Sequence, residues 1–176
     1  WVKEHLEKFA SDGISVYCLT GMGHESSGVV EMTGPDSSSV PMRFVPFSDE
    51  MSTVLSAADL VVSRAGAGSI SEIVRCRVPS ILVPYPFAAD DHQALNASFI
   101  EQKGAAIVCP QDQIGELLFE EAREVMFNEE FRAVLRRNLV ATDPGDVVSE
   151  IVFDVTNVLK ESGNPDVVAG ALPFAG

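Results

Sequence analysis

The decapeptide SRAGAGSISE, residues 63–72, combines two glycines, small hydroxyl side chains and one glutamate at the point where an apolar run gives way to a helical pattern. The first backbone amides of a helix have no carbonyl partner within it and carry partial positive charge, so they suit a phosphate group. Gly66 and Gly68 would let the backbone turn tightly and approach a ligand closely. The stretch therefore indicates either a diphosphate site at the amides of Gly68, Ser69 and Ile70 or a strand-to-helix turn with nothing bound.

Glu72 follows Ser69 by three residues, a spacing that has two interpretations. Ser-x-x-Glu is the capping-box pattern, in which the glutamate bonds back to the residue that starts the helix. If a diphosphate occupies the helix start instead, the carboxylate lies one turn behind it and can accept hydrogen bonds from the two hydroxyls of a ribose. Arg64 could balance phosphate charge or pair with a neighbouring acid. The missing third glycine and P-loop lysine make a dinucleotide site the weaker interpretation.

A second polar corner lies in YPFAADDHQALNASF, residues 85–99. Asp91 is a candidate helix N-cap, and Gln93 and Asn96 lie three residues apart on one helix face. Each of the two amides has a donor and an acceptor, so together they suit a neutral sugar; a solvated first turn is the alternative. His92 is interpreted as a turn residue and not as a general base, because nothing near it in sequence would fix its tautomer.

A third corner, PFSDEMS at residues 46–52, again joins a strand pattern to a helix pattern. An exposed backbone at Ser48, flanked by Phe47 and Met51, could receive a flat heterocycle. The alternative is an ordinary helix cap with a hydrophobic staple.

The elements that must position these corners alternate along the chain. Residues 21–39 are rich in glycine and serine and predict only a loop or a weakly marked helix. Alternation of strands and helices implies an α/β fold with right-handed crossovers and an open parallel sheet, whose ligands lie beyond the carboxyl ends of the strands. That rule puts the loops after Thr20, Phe44, Ser63 and Tyr85 on one rim. Strands are predicted at 14–20, 40–47, 58–63, 79–85 and 105–110, and helices at 1–11, 48–57, 69–76, 90–102, 112–127, 128–139 and 145–161.

The length and composition of the chain limit the classes of protein to which it can belong. The 176 residues fit one domain, predicted at 1–161, with a frayed or disordered tail at 162–176. The formal charge of −14 argues against nucleic acid as a partner. Three cysteines and three histidines are scattered without metal-ligand spacing, so no metal site is predicted, and an odd cysteine count fits a reducing, cytoplasmic compartment. No apolar run is long enough to predict a membrane span.

In this order and spacing, four segments resemble the C-terminal domain of the MurG family, the bacterial UDP-N-acetylglucosamine transferases of glycosyltransferase family 28 that complete the lipid-linked peptidoglycan precursor. The match runs from about residue 14 to residue 158. The resemblance implies a Rossmann-like sheet with helices on both faces, which is one half of a GT-B fold. It implies no cofactor. The four segments are PFSDEM, AADLVVSRAGAGSISE, PSILVPYPFAADDHQALNA and the KGAA turn.

The resemblance also implies a role for each matching residue. The Ser48 backbone would read the uracil edge in a pocket lined by Phe47 and Met51. Glu72 would hold the ribose. Ser69 stands where the family often has threonine and keeps the hydroxyl, whereas Gly68 stands where a larger residue is common. The diphosphate would be bound by the amides of Ala67, Gly68 and Ser69, and the N-acetylglucosamine hydroxyls by Gln93 and Asn96.

The family's N-terminal domain, which binds the lipid acceptor, has no counterpart in the sequence. Gly21-Met22-Gly23-His24 is a superficial match to a Gly-rich loop with a histidine, but it lies within the donor half, so His24 receives no catalytic role. The expected function is therefore donor binding in the transferase that converts lipid I to lipid II. The chain by itself, with no catalytic residue, is expected to be inactive, and contact with the muramyl-peptide acceptor and the inner face of the membrane is expected through the missing domain.

Two other functions are compatible with the same residues. The chain could be the soluble subunit of a two-chain UDP-sugar transferase, which would meet its acceptor domain in trans. It could also be a nucleotide-sugar-binding module without catalysis.

Overall fold

The structure, a computed structural model, describes residues 1–23, 27–88 and 91–161. The chain divides into two compact units, Trp1–Thr142 and Asp143–Gly176. The predicted tail at 162–176 and His24 lie outside the described residues. The described strands of the first unit are β1 (Val16–Leu19), β2 (Gly28–Thr33), β3 (Ser39–Val45), β4 (Val61–Ser63), β5 (Ser80–Leu82) and β6 (Ile107–Val108). Its described α-helices are α1 (Leu6–Ser11), α2 (Met51–Ala57), α3 (Ala67–Cys76), α4 (His92–Gln102), α5 (Glu116–Phe127) and α6 (Glu129–Thr142).

The described strands form two three-stranded sheets, β1-β3-β2 and β4-β5-β6. Both pairs in the second sheet are parallel, as is the β1–β3 pair, which confirms the α/β class with parallel strand pairing. The predicted single sheet of five parallel strands differs in two respects. The described strands form two sheets, and a sixth strand, β2, runs antiparallel to β3, with Val30 opposite Met42. The prediction of a loop or helix at 21–39 missed β2 because this edge strand is mostly exposed, so its sequence shows no alternation.

The central strand of the second sheet, β5, is buried on both faces. Ile81 and Leu82, adjacent on β5, are each 0% exposed and belong to different core clusters. Ile81 packs with side chains of α5, and Leu82 packs with side chains of α3, α4 and α6. Successive side chains of a strand point to opposite faces, so helices cover both sides of β5. This burial explains why the strand has a continuous apolar run instead of an alternating one.

Three helices of the first unit end in the same hydrogen-bonded motif. After α4, Gly104 has a φ of 64°; its amide donates to Glu101 O and the amide of Ala105 donates to Ile100 O, at 2.7 and 3.1 Å. This is the Schellman pattern, which reverses the chain at once after the last helical turn. Gly13 closes α1 in the same way, and Arg77, with a φ of 56°, closes α3. Each motif directs the chain straight toward the next strand.

Burial changes the acidity of two of the three cysteine thiols. Cys109 is buried and Cys18 is half-buried. Burial raises the pKa of both thiols above the usual value, because the thiolate loses its hydration. Both side chains therefore act as small core residues.

The second unit contains α7 (Val147–Glu161). Asp146 begins this helix, since its carboxylate accepts hydrogen bonds from the amide and the hydroxyl of Ser149 at 3.1 and 2.5 Å. Within the described residues, no helix has the length and apolar character needed to cross a membrane.

The Schellman motifs predict opposite effects for two substitutions. Gly104→Ala should lower the free energy of unfolding by about 1–3 kcal/mol, because alanine disfavours the left-handed region and its Cβ would lie 2.8 Å from Nδ2 of Asn138. Arg77→Gly should raise it by about 1 kcal/mol, because glycine adopts the same φ without penalty. Denaturant unfolding measures both values.

Two matched variants separate the causes. Gly13→Ala places its Cβ in ordinary contact, 3.6 Å from Pro35, so it should report the backbone penalty of about 1–2 kcal/mol alone. Arg77→Lys retains the Cβ and the charge and should leave stability unchanged. A loss at Gly104 no larger than that at Gly13 would contradict the role given to Asn138.

Candidate functional site

The candidate site lies at the carboxyl edge of the second sheet. β4 and β5 are parallel, with Ser63 opposite Leu82, so both strands end at the same edge. The amide of Val83 donates to Ser63 O at 2.8 Å and extends this pairing by one step. The chain after β4 turns into α3, and the chain after β5 leads to α4. The two predicted polar corners at 63–72 and 85–99 therefore belong to one edge of one sheet.

The start of α3 is an open helix N-terminus. Gly66 is the N-cap, and the first bond of the helix runs from the amide of Ile70 to Gly66 O at 3.0 Å. The amides that precede this bond are those of Ala67, Gly68 and Ser69, which have no carbonyl partner within the helix. The pattern-based assignment of Ile70 as a phosphate donor is therefore wrong, because its amide is used by the helix. The three amides named by the family resemblance are the ones left free by helix geometry.

The glycines at this turn are not needed for backbone conformation. Gly66 has a φ of −68° and a ψ of 145°, which any residue can adopt, and Gly68 lies within α3 without a left-handed φ. The idea that both glycines allow a tight turn is therefore incorrect. A Cβ at either position would meet nothing within 4 Å, so the space around both residues is open. Of the two reasons predicted for glycine here, this open space is compatible with close approach of a ligand.

Glu72 does not form the capping box that its spacing suggested. The helix begins at Ala67, so Ser69 is already its third residue and no side chain caps the N-terminus. Glu72 is exposed one turn further along, three residues after Ser69 and four after Gly68. Helical side chains lean toward the N-terminus, so this carboxylate is directed along the helix flank toward the first turn. The capping interpretation of Ser69-x-x-Glu72 is wrong.

Gln93 and Asn96 are both half-buried and both fixed by main-chain contacts. The Oε1 atom of Gln93 accepts a hydrogen bond from the amide of Tyr85 at 3.0 Å, which ties α4 to the loop after β5. The Nδ2 atom of Asn96 donates to Ala65 O at 3.1 Å, which ties α4 to the loop after β4. The interpretation of these side chains as a solvated first turn is therefore wrong.

These two bonds decide what each amide can offer to a ligand. The side-chain oxygen of Gln93 accepts the hydrogen bond from the amide of Tyr85, so the NH₂ group of Gln93 is left to donate. The side-chain nitrogen of Asn96 donates to the carbonyl of Ala65, so the Oδ1 atom of Asn96 is left to accept. One N–H of the same side chain also remains free to donate. The pair therefore presents a donor and an acceptor one helical turn apart, which suits vicinal hydroxyl groups. Asp91 begins α4 as predicted, but with a φ of 52° and without a side-chain capping bond.

Arg64 is bound to the protein itself. Its Nη1 atom lies 2.5 Å from Oε1 of Gln111, 3.3 Å from Val83 O and 3.5 Å from Pro84 O. The guanidinium carbon also lies 5.4 Å from the ring centroid of Tyr85, within the range of a cation–π contact. None of these partners is an acid, so the ion pair that was one of the two alternatives for Arg64 is absent among the described residues.

The corner at Ser48 is assembled differently from the prediction. The N-cap of α2 is Glu50 and has no side-chain capping bond, while the hydroxyl of Ser48 accepts a hydrogen bond from the amide of Glu50 at 3.2 Å. Phe47 is 65% exposed, and Met51 is half-buried against the core. The Sγ atom of Cys76 lies 3.9 Å from Ser52 O, which links α2 to the end of α3. The corner thus borders the helix that carries Glu72.

Sequence reasoning missed the residues that hold the site together. The carbonyl of Ala65 binds a side chain 31 positions away, and the amide of Tyr85 binds one 8 positions away. The side-chain oxygen of Gln111 binds a side chain 47 positions away. Two of these groups belong to the main chain, which every residue has, so no residue type marks them. Within the described residues, no group of three His, Cys, Asp or Glu side chains could hold a metal ion.

Comparison with known proteins gives a consistent result. A family model described as the glycosyltransferase family 28 C-terminal domain matches residues 1–143. The chain is 39% identical over 163 residues to a protein of Opitutus terrae named UDP-N-acetylglucosamine–N-acetylmuramyl-(pentapeptide) pyrophosphoryl-undecaprenol N-acetylglucosamine transferase. It is 36% identical over 169 residues to a protein of the same name from Phocaeicola vulgatus. These matches cover 93% and 92% of the chain but only 43% and 44% of the relatives, which are more than twice as long.

Solved structures agree. The crystal structure of Acinetobacter baumannii MurG is similar with a TM-score of 0.61 and 26% identity over 69% of the chain and 37% of that protein. The glycosyltransferase VinC shares the fold with a TM-score of 0.51 and 23% identity, over 67% of the chain and 29% of VinC.

The Asn96 contact predicts a stability effect that requires no ligand. Asn96→Asp keeps the shape of the side chain but sets a carboxylate oxygen against Ala65 O, so the free energy of unfolding should fall by about 1–3 kcal/mol. Gln102→Glu is the matched control on the same helix, since Gln102 is exposed and, among the described residues, its amide donates to the side-chain hydroxyl of Ser98 at 3.1 Å and to no main-chain group. Denaturant unfolding of both variants checks this contact; equal losses would contradict it.

Proposed function

Because the chain belongs to glycosyltransferase family 28 as a C-terminal domain of that family, we propose that it binds the UDP-N-acetylglucosamine donor of a transferase that converts lipid I to lipid II. The observation that carries the proposal is the sheet edge at which the open N-terminus of α3 meets the two fixed amides of α4. Phosphate, ribose and sugar each have suitable groups there. The names of the relatives support this donor, since they specify transfer of N-acetylglucosamine.

The diphosphate would lie at the start of α3. The amides of Ala67, Gly68 and Ser69 are free to donate, and the helix dipole adds positive potential at the same point. The hydroxyl of Ser69 can donate a further bond. These groups would stabilise the negative charge that develops as UDP leaves, and they are already oriented before the reaction.

The nucleoside would extend from the diphosphate along α3 toward α2. Glu72 lies one helical turn from the free amides, and a carboxylate can accept from both hydroxyls of a ribose. The backbone at Ser48 would then read the edge of uracil, with Phe47 and Met51 against its faces. The exposure of Phe47 leaves an apolar surface for a ring to cover.

The sugar would face α4. The NH₂ group of Gln93 and the Oδ1 atom of Asn96 are the groups left over from the two main-chain bonds. Together they can donate to one hydroxyl and accept from its neighbour. The same bonds hold both side chains in place before the donor arrives, which reduces the entropy lost on binding.

Acceptor binding would belong to the part of the protein that the longer relatives have in addition. That part would bring the lipid-linked muramyl peptide, contact the inner face of the membrane and supply the catalytic base. Joining two oriented reactants can contribute about 7–11 kcal/mol to a reaction, so we infer that the 176-residue chain binds donor but does not transfer sugar at a useful rate.

Nucleotide selectivity tests the proposed function. The chain should bind UDP and UDP-N-acetylglucosamine, and bind ADP more weakly, because a purine would not match the backbone edge at Ser48. Titration calorimetry or ligand-observed NMR measures the three affinities. Equal binding of ADP and UDP would reject the uracil site, and no binding of any nucleotide would reject the proposed function.

Glu72→Ala should weaken UDP binding by about 1–3 kcal/mol, the range expected when a charged hydrogen-bond partner is removed. Its melting temperature should stay unchanged, because Glu72 caps no helix. Titration of both proteins with UDP and with 2′-deoxy-UDP tests the ribose role. The wild-type chain should prefer UDP, and the variant should lose part of that preference.

Glu101→Ala is the control, since it removes another exposed helical carboxylate at the far end of α4. It should leave both affinities unchanged. If Glu72→Ala weakens UDP and 2′-deoxy-UDP by the same factor, Glu72 does not contact the ribose 2′-hydroxyl.

A further inference from the structure

One guanidinium connects the loops that follow all three strands of the second sheet. Arg64 itself follows β4, Val83 follows β5, and Gln111 lies beyond β6. The Nη1 atom carries two hydrogens, so its two closest acceptors, Gln111 Oε1 at 2.5 Å and Val83 O at 3.3 Å, are the ones it can satisfy together. Pro84 O at 3.5 Å is a marginal partner.

The same side chain also restrains Tyr85. The guanidinium lies 5.4 Å from the ring centroid of Tyr85, while Nη1 bonds the carbonyl of Val83, two residues earlier. The loop after β5 is therefore restrained on both sides of Pro84. The amide of Tyr85 is the group that binds Oε1 of Gln93. A continuous series of contacts thus runs from Arg64 through Tyr85 to the sugar-facing amide of α4.

We propose that Arg64 is a positioning residue for sugar recognition, which fixes the loop after β5 so that the Tyr85 amide holds Gln93 with its NH₂ group toward the donor sugar. The inference rests on the proposed function and deepens it. It also differs from both roles considered from the sequence, in which Arg64 balances the phosphate charge or pairs with a neighbouring acid. Positive charge at the diphosphate is then supplied by the α3 N-terminus.

The chemistry explains why the residue is arginine. A planar guanidinium can bond a carbonyl and an amide oxygen in its plane while its face lies against a ring. A lysine ammonium has the same charge but no plane to stack, so it cannot hold three loops in the same geometry. A role in charge balance would tolerate lysine, whereas a role in positioning would not.

The test compares how sugar and nucleotide binding respond. Arg64→Met should weaken UDP-N-acetylglucosamine binding by about threefold to tenfold, the range of one hydrogen bond lost, and change UDP binding by less than about twofold. Arg64→Lys should behave like Arg64→Met. In a Gln93→Ala background, Arg64→Met should have little further effect, because its target is gone.

A second readout requires no ligand. Hydrogen exchange of the Tyr85 amide should accelerate in Arg64→Met, because the bond to Gln93 is no longer held in place. Gln111→Ala removes the closest partner of Arg64 and none of the groups proposed to contact the sugar. It should change UDP-N-acetylglucosamine affinity and Tyr85 exchange in the same direction as Arg64→Met, by a smaller factor. Arg137→Met, an exposed arginine on α6, is the control and should change neither.

The outcomes separate the two proposals. Equal weakening of UDP and UDP-N-acetylglucosamine by Arg64→Met, with recovery in Arg64→Lys, would overturn the positioning role and leave the proposed function intact. Unchanged exchange at Tyr85 would also overturn it. If the wild-type chain binds neither nucleotide, the proposed function fails, and the sugar-recognition role of Arg64 fails with it, whatever the exchange data show.

Discussion

The parallel pairing of β4 with β5 is the constraint on which the candidate site depends. Its register places Ser63 opposite Leu82, so the two strands end at one edge and release their chains in the same direction. α3 therefore begins beside the loop that leads into α4. An antiparallel pair would send the two helices to opposite edges of the sheet, and no group of α4 could then reach the start of α3.

The groups that stabilise this edge are the same groups to which the proposed function gives a role in donor binding. Asn96 and Gln93 each use one end of an amide to satisfy a main-chain group and leave the other end unused. Asparagine and glutamine suit this double task because their side chains carry a donor and an acceptor at fixed separation. Arg64 extends the arrangement to the third strand, with Gln111 as its partner. The side chains of the candidate site are thus oriented by contacts within the chain itself.

The start of α3 contrasts with this interlocked region. Gly66 and Gly68 face open space, and neither uses the left-handed conformation that glycine alone adopts freely. Elsewhere in the chain the opposite holds, since Gly13 and Gly104 end helices in that conformation. Glycines of the same chain therefore have different reasons to be present. Those of the Schellman motifs serve the fold, and those of α3 keep a surface open where the helix dipole is strongest.

The sequence by itself determined the α/β class, the apolar strands of the second sheet and the residue types of the three corners. These features follow from short-range patterns, since apolar runs and turn residues show local preferences. It did not reveal β2, because an exposed edge strand is specified by its partner and not by its own alternation. It also misplaced the start of α3 by two residues, so that Glu72 looked like part of a capping box. Only the tertiary structure decided which end of each amide is left free and what Arg64 binds. Those contacts join residues between 8 and 47 positions apart, largely through main-chain atoms that no residue type marks.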